Sequence, residues 1–249
     1  TDRLFSRQQL LASINRAEEY VTATRVADDY RKHQRKALDL LTSKDTKSAF
    51  DLRSESPALL EKYGPGINAT SMIMARRLVE AGVPFITVFW KGDPKTGELC
   101  KSGGGWDTHG NNFNCLKDRL LPEFDRPFAA LLDDLHQRGL LDETLVIVSS
   151  EMGRKPKIGD PRSGGVSGAG RDHWTRSMSI LLAGGGIRGG QAYGATDRFA
   201  EFPAVNPVAP EDIAKTVFHS MGIDDLNARD REGRPFQLME AGKVIEALF

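Results

Sequence analysis

Long amphipathic segments alternate along this chain with short runs of β-branched and aromatic residues, and this alternation constrains the fold most. Segments with apolar residues at helical spacing cover 68–81, 116–138 and 210–221. Strand-like runs cover 83–90, 144–149 and 177–183. Alternation of this kind is typical of an α/β protein, and we predict a mostly parallel sheet sandwiched by helices.

The part of the chain before the first strand-like run is different, because residues 1–66 are predicted to be mainly helical. A long helix is expected over 6–41, and shorter helices over 46–51 and 57–63. In the helix predicted over 68–81, the apolar residues share one face and Arg76 lies beside it. No clear linker or repeat interrupts the chain, so we predict a single domain spanning residues 1–249, closed by a helix over 239–248.

The charge balance excludes some classes of partner. The chain has 34 Lys and Arg against 34 Asp and Glu, which gives a formal net charge of zero. A neutral chain has no bulk electrostatic attraction to nucleic acid or anionic membranes, and we expect neither as a partner. We also expect no membrane span, since no apolar run approaches the roughly 18 residues that a helix needs. The two cysteines, Cys100 and Cys115, either form a disulfide across a short loop or remain free thiols.

Polar, chemically reactive residues cluster in the loops after the first two predicted strands. In open α/β sheets, ligands bind beyond the carboxyl ends of the strands, where these loops lie. The first cluster contains Asp107 and His109, which can both reach one divalent ion from an extended segment. The alternative interpretation is structural, with Asp107 or Asn112 capping the helix that follows.

Two further clusters lie in the second loop. Glu151 and Arg154 follow the strand-like run 144–149, and they indicate either a ligand with an anion-binding partner or a simple surface salt bridge. Arg171, Asp172 and His173 precede the next strand-like run. Arg171 can bind an anionic group in a bidentate manner and Asp172 can orient His173, although a plain polar loop fits the same residues. Together the three clusters predict a metal and oxyanion site at one edge of the sheet.

The strings GGWDTHGNNF, LPEFDRPFAALLDDLHQRGLLDETLVIVSSEMGR, GRDHW and LLAGGGIRGGQAYGATD point to one family. With them the chain resembles, from about residue 40 to 225, the domain-of-unknown-function family 1501 of sulfatase-like bacterial proteins. This family looks related to the alkaline phosphatase-like superfamily. The resemblance therefore implies an alkaline phosphatase-like fold and an exported protein, periplasmic or extracellular.

The resemblance also implies an activity. It is the metal-dependent hydrolysis of sulfate or phosphate esters, with a small molecule or a carbohydrate ester as substrate. Its cofactor would be a divalent metal, either Zn, Ca, Mg or Mn. The implied metal ligands are Asp107, His109, Glu151 and His173. The implied catalytic residues are Arg154 and Arg171, which bind the anion, and Asp172, which supports a ligand or is itself one.

Three departures from the superfamily pattern leave the function open. Glu151-Met152 replaces an Asp-His pair, and the Asp-x-His spacing is shorter than usual, so that Asn111 is an alternative ligand to His109. Residues 1–40 contain no segment that would carry a nucleophile, so we expect the chain to lack the N-terminal strand and loop, and no nucleophile is assigned. The alternatives to a hydrolase are a non-catalytic relative that binds or scaffolds, and a metal-dependent enzyme of another type.

Overall fold

The computed structural model describes residues 3, 6, 7, 9, 10, 32, 34–36, 38, 39, 42–100, 105–108, 111–159, 170–230 and 232–249. Contacts divide the chain into two compact units. One comprises Thr1–Ser48 and Arg229–Arg234, and the other comprises Ala49–Ala228 and Pro235–Phe249. The described residues up to Thr42 are all helical, and the rest of the helix predicted over 6–41 lies outside the described residues.

Helices make up most of the regular structure among the described residues. They are α1 (Lys44–Ala49), α2 (Pro57–Tyr63), α3 (Ile67–Glu80), α4 (Pro94–Cys100), α5 (Asn112–Cys115), α6 (Leu121–Gln137) and α7 (Pro210–Ser220). A π-helical turn, Leu116–Leu120, joins α5 to α6. Short 3₁₀ turns occur at Leu52–Ser54, Leu141–Glu143 and Glu246–Leu248. A helix was predicted over 239–248, but only the last of these turns forms there, so that prediction was wrong.

Local sequence signals explain where α2 begins and ends. The Ser56 hydroxyl accepts a hydrogen bond from the Leu59 backbone N–H at 3.2 Å, and Pro57 occupies the first helical position. Both are preferred at a helix N-terminus, where backbone N–H groups lack partners within the helix. Gly64 ends the helix with a φ of 89°, a conformation that glycine adopts without steric cost. The helix therefore coincides with the predicted segment 57–63.

The strands are short and pair in twos. They are β1 (Val146–Val148), β2 (Gly153–Arg154), β3 (His173–Trp174), β4 (Leu181–Ala183), β5 (Ala195–Thr196), β6 (Pro203–Val205), β7 (Asn227–Arg229) and β8 (Pro235–Gln237). Among the described residues they form four two-stranded sheets, β1–β4, β2–β3, β5–β6 and β7–β8. The first three of these pairs are antiparallel, with Ile147 opposite Leu182 at the centre of β1–β4.

The prediction of a mostly parallel sheet sandwiched by helices is therefore wrong, and with it the alkaline phosphatase-like architecture expected from the resemblance. The run 83–90 lies in no strand, and Phe85 and Phe89 are 67% and 85% exposed. β-branched and aromatic residues favour an extended backbone, but a strand forms only where a neighbour takes its hydrogen bonds. The run 144–149 contains β1, whose partner is the antiparallel β4.

The hydrophobic core of the second unit lies between α2, α3 and α6. Its buried residues are Tyr63, Ala69, Met72, Ile73, Ala130, Leu131 and Leu135. A charged cluster lies within the same helical layer, because Arg76 is only 1% exposed and forms ion pairs with three carboxylates. These carboxylates belong to Glu55, Glu80 and Asp134, at 2.9, 2.6 and 2.9 Å. The helical layer is thus joined by charge as well as by apolar contact.

An aromatic cluster connects this core to the loop that follows α4. The ring of Trp106 lies 5.5 Å from that of Trp90 and 6.0 Å from that of Phe124, in edge-on geometry. Phe124 in turn stacks on Phe128 of α6, with ring centroids 4.8 Å apart. Edge-to-face and offset-stacked rings at these separations attract one another beyond the effect of buried area. Trp106 thereby fixes its loop against α6.

Candidate functional site

The two-stranded sheet β2–β3 forms the base of the candidate site. Arg154 lies directly opposite His173 in the antiparallel register, and Gly153 lies opposite Trp174. Residues opposite one another in such a ladder project from the same face of the sheet. The ladder therefore places a guanidinium and an imidazole side by side, although 18 residues separate them in sequence.

Gly153 permits this arrangement because no side chain fits at its position. A Cβ built there would lie 2.0 Å from the carbonyl oxygen of Ser177. Any other residue would push β2 away from the chain that follows β3. Gly153 thus allows β2 to lie close to the chain after β3, which places Arg154 opposite His173.

Asp107 reaches this face from the loop after α4. Its Oδ1 lies 2.7 Å from Nε2 of His173, which is 66 residues away in sequence. The Asp172 carboxylate lies beside them and accepts a hydrogen bond from the backbone N–H of His173 at 2.8 Å. The structure therefore brings together Asp107, Asp172 and His173, as the sequence analysis expected.

The backbone on both sides of Asp107 is held in place. The N–H of Thr108 donates to the carbonyl oxygen of Trp106 at 2.8 Å, which closes a tight turn centred on Asp107. Thr108 is 1% exposed, and its hydroxyl accepts a hydrogen bond from Nδ2 of Asn112 at 2.7 Å. Trp106 lies in the aromatic cluster described above. Asp107 thus projects from between two anchored neighbours.

Two arginines supply positive charge beside the acidic residues. Arg154 donates to the carbonyl oxygens of Trp106 at 2.5 Å and Arg171 at 3.3 Å. Arg171 donates to those of Lys155 at 2.6 Å and Arg154 at 3.5 Å. A guanidinium has five N–H groups, so within the described part of the chain each arginine keeps three after these two bonds. The two cations are therefore fixed by backbone contacts and still have donors for a ligand.

Burial and neighbouring charges act in opposite directions on Arg154. Burial lowers the pKa of its guanidinium, whereas the carboxylates of Asp107, Asp172 and Glu151 raise it. The net effect is a lowered pKa. Because the pKa of free arginine is above 12, the side chain stays charged at neutral pH. A partly buried, fully charged guanidinium next to an exposed acid and imidazole is suited to binding an oxyanion.

The two cysteines form a disulfide, which settles the alternative that the sequence left open. Cys100 at the end of α4 and Cys115 at the end of α5 are both buried, with Cα atoms 5.4 Å apart. Fifteen positions separate them, and Asp107 lies near the middle of the loop that they close. The disulfide thus joins the two ends of the segment that carries Asp107.

Among the described residues, Glu151 and Asn111 form no hydrogen bond with this cluster, although the Glu151 carboxylate is close enough to act on Arg154. Glu151 is exposed, and among the described residues it has no hydrogen bond or ion pair with Asp107 or His173. His109 lies outside the described residues. Asn111, the alternative ligand, precedes α5 and its side chain accepts a hydrogen bond from Asn114. Neither Asp107 nor Asn112 caps a helix, because α5 begins at Asn112 without a side-chain cap.

The fit of a divalent metal to these residues is partial. Asp107 and His173 bring an oxygen and a nitrogen within 2.7 Å of each other, close enough to share one ion of the kind that carboxylate and imidazole bind. Within the described ranges, however, no group of three or more His, Cys, Asp or Glu converges as metal ligands do. The described residues therefore supply two of the four predicted ligands at one place.

The residues that hold Asp107 were not predicted from the sequence. They are Trp106, Thr108 and Asn112. A signal for one of them was available, because a tryptophan in a polar loop tends to bury its ring and so to anchor the loop. Trp106 directly before Asp107 therefore indicated an anchor for the acid. The role of Asn112 depends on where α5 begins, and the sequence alone did not show this.

Comparison with known proteins gives one match. A family model described as "Protein of unknown function (DUF1501)" matches residues 2–249. No curated protein and no solved structure matches the chain. Across the described residues, no helix is both long and apolar enough to span a membrane.

Proposed function

Given that this chain belongs to the DUF1501 family, we propose that it hydrolyses sulfate or phosphate esters of small molecules or carbohydrates with the help of a divalent metal. One observation carries the proposal. Asp107 and His173, 66 residues apart in sequence, lie 2.7 Å apart with Arg154 beside them. An acid, an imidazole and fixed guanidinium groups on one face are what hydrolysis of an anionic ester needs.

The arginines bind the sulfuryl or phosphoryl group in this proposal. Guanidinium N–H groups match the tetrahedral oxygens of such anions and form charge-assisted hydrogen bonds with them. The backbone carbonyls that hold Arg154 and Arg171 keep the two cations in place before the substrate arrives. Fixed charges of this kind stabilise the negative charge that develops on the equatorial oxygens during transfer.

Asp107 and His173 are the proposed metal ligands. The Asp172 carboxylate bonds to the backbone N–H of His173 and so fixes the residue that carries the imidazole. A divalent metal, when bound, would supply Lewis-acid charge and acidify a water molecule. Glu151 is not grouped with these residues, and its proposed role as a ligand has no support from the described part of the chain.

The experiment combines metal content with turnover. The protein is dialysed against Zn, Mn, Ca or Mg, its bound metal is measured by mass spectrometry, and hydrolysis of 4-nitrophenyl sulfate and 4-nitrophenyl phosphate is followed. We expect Asp107→Asn and His173→Gln to lose metal and at least about 100-fold in rate. Asp224→Asn is the matched control, because Asp224 pairs with His219 at the same 2.7 Å outside the site. Absence of both metal and hydrolysis in the metal-dialysed protein would contradict the proposal.

A second candidate is a binding protein that uses the same anion site without catalysis. The hydroxyls that follow β1 favour it, because Ser149 donates to the carbonyl of Ser150, and Ser150 to that of Met152. Both hydroxyls thus bond to neighbouring backbone carbonyls. Titration calorimetry with sulfate and phosphate separates the candidates. Binding that Arg154→Met abolishes, with no turnover of either ester, supports this second function.

We further propose that the protein is exported, as the family resemblance implies. A disulfide persists in oxidising compartments such as the periplasm and the extracellular space, so the Cys100–Cys115 bond supports this location. Fractionation of cells that express the full-length protein tests it. Recovery in the cytoplasm with both cysteines as free thiols would contradict it.

A further inference from the structure

We propose that Thr108, Asn112 and the Cys100–Cys115 disulfide act together as a positioning device that holds Asp107 against His173. The meaning of this device for catalysis rests on the proposed function, but its geometry does not. Asp107 and His173 have side chains 70% and 40% exposed, and an exposed carboxylate–imidazole contact contributes little to holding two loops together. The anchored backbone on both sides of Asp107 therefore contributes to its position.

The first part of the device is the hydrogen bond between Thr108 and Asn112. Both side chains are buried, and Nδ2 of Asn112 donates to the Thr108 hydroxyl at 2.7 Å. A buried amide that loses its acceptor is costly, so this bond resists opening. Since Thr108 directly follows Asp107, and the turn between Trp106 and Thr108 is closed, fixing Thr108 also fixes the direction of the Asp107 side chain.

The second part is the disulfide, which holds the helix that carries Asn112. Helix α5, Asn112–Cys115, is the first turn of a helical segment that continues through the π-helical turn into α6. The segment after it holds the C-terminal end of α5, and the disulfide adds a link to α4. The last residue of α5, Cys115, is buried and bonded to Cys100 at the end of α4. The bond therefore ties α5 to α4, and α5 in turn holds Thr108 through Asn112.

The test reads the His173 imidazole directly and does not depend on turnover. The ¹⁵N and ¹H signals of the ring are recorded by NMR and assigned to His173 with the variant His173→Gln. Asp107→Asn supplies the reference spectrum of a broken carboxylate–imidazole pair. Thr108→Val removes the hydroxyl while keeping the shape of the side chain. Thr108→Ser keeps the hydroxyl and serves as the matched control.

We expect the His173 signals of Thr108→Val and of the double variant Cys100→Ala/Cys115→Ala to move to the position seen in Asp107→Asn. Those of Thr108→Ser should stay at the position of the unmodified protein. Ester hydrolysis should fall by about 100-fold in the first two variants and stay within about twofold in the third, because a displacement near 1 Å can cost a factor of this size.

The outcomes separate the positioning device from the proposed function. Unchanged His173 signals in folded Thr108→Val and in the folded double cysteine variant would overturn the positioning device. Signals that move as expected in a protein that hydrolyses no ester would uphold the device and count against the hydrolase. If Thr108→Val does not fold, the double cysteine variant decides, with circular dichroism as the check of folding for both.

Discussion

Replacement of Arg76 by methionine should lower the free energy of unfolding by about 3 kcal/mol. Arg76 is 1% exposed and forms ion pairs with Glu55, Glu80 and Asp134. Methionine has similar length and fills much of the same space, so little cavity is created. The cost arises because carboxylates that remain buried lose their charged partner.

The magnitude follows from what remains around those carboxylates. Removing one partner of a buried ion pair costs roughly 3–5 kcal/mol. Glu55 keeps a second cation, Arg77, and Asp134 keeps Arg138 at 2.7 Å. The Nε and Nη2 atoms of Arg76 also lie at ion-pair distance without good hydrogen-bond angles, so they contribute charge more than directed bonds. Both facts place the loss at the lower end of the range.

The effect of pH gives a second, independent check. Burial raises the pKa of Glu55, but hydrogen bonds from Arg77 and Arg76 outweigh it and hold the pKa below the usual 4.5. A carboxyl with a lowered pKa adds stability that is present above the unfolded value and is lost as pH falls through the folded one. The difference in free energy of unfolding between the unmodified protein and Arg76→Met should therefore shrink as pH falls below about 4.5.

Urea unfolding followed by circular dichroism at pH 7 and at pH 4 measures both quantities. The matched control is Arg138→Met, which makes the same change in the same cluster at a side chain that is 36% exposed. This variant should lose about 1 kcal/mol or less, because Arg138 is partly exposed and the buried Asp134 keeps Arg76 at 2.9 Å. A loss below about 1 kcal/mol for Arg76→Met, or an equal loss at both pH values, would refute this reasoning.

Three further predictions concern other parts of the second unit. Gly153→Ala should lower the free energy of unfolding, measured by thermal unfolding, by about 1–3 kcal/mol, because the new Cβ would lie 2.0 Å from the Ser177 carbonyl oxygen. Gly189→Ala is the control, because its Cβ would face open space and stability should hardly change. The hydrogen bond that the protonated His219 ring donates to the Asp224 carboxylate raises the pKa of His219 above 6.5. This pair should therefore stabilise the fold below that pH and lose its effect as pH rises through the raised value. The melting temperature measured against pH checks this, and Asp224→Asn should remove the dependence. Replacing both cysteines with alanine opens a loop whose ends are 15 positions apart and should lower the free energy of unfolding by about 3 kcal/mol. A free energy of unfolding that urea denaturation finds nearly unchanged would contradict this prediction.

Some of the candidate site was predictable from sequence, although part of the reasoning was wrong. Asp107, Arg154 and His173 were expected to meet at the carboxyl edge of a parallel sheet. They do meet, but through the antiparallel pair β2–β3 and a loop closed by a disulfide. Local composition indicated which residues can bind a metal or an anion. Which elements bring these residues together depends on hydrogen-bond partners that are distant in sequence.

Four of the helices follow from the sequence alone. Apolar spacing and local signals such as Ser56 and Gly64 placed α2, α3, α6 and α7 within a few residues, because a helix takes its hydrogen bonds from its own segment. Tertiary structure decided the strands, since β1 needs β4 and the run 83–90 pairs with no strand among the described residues. It also decided that Arg76, which the sequence placed beside the apolar face, is buried. Glu80 of the same helix pairs with it, and so do Glu55 and Asp134 from other segments.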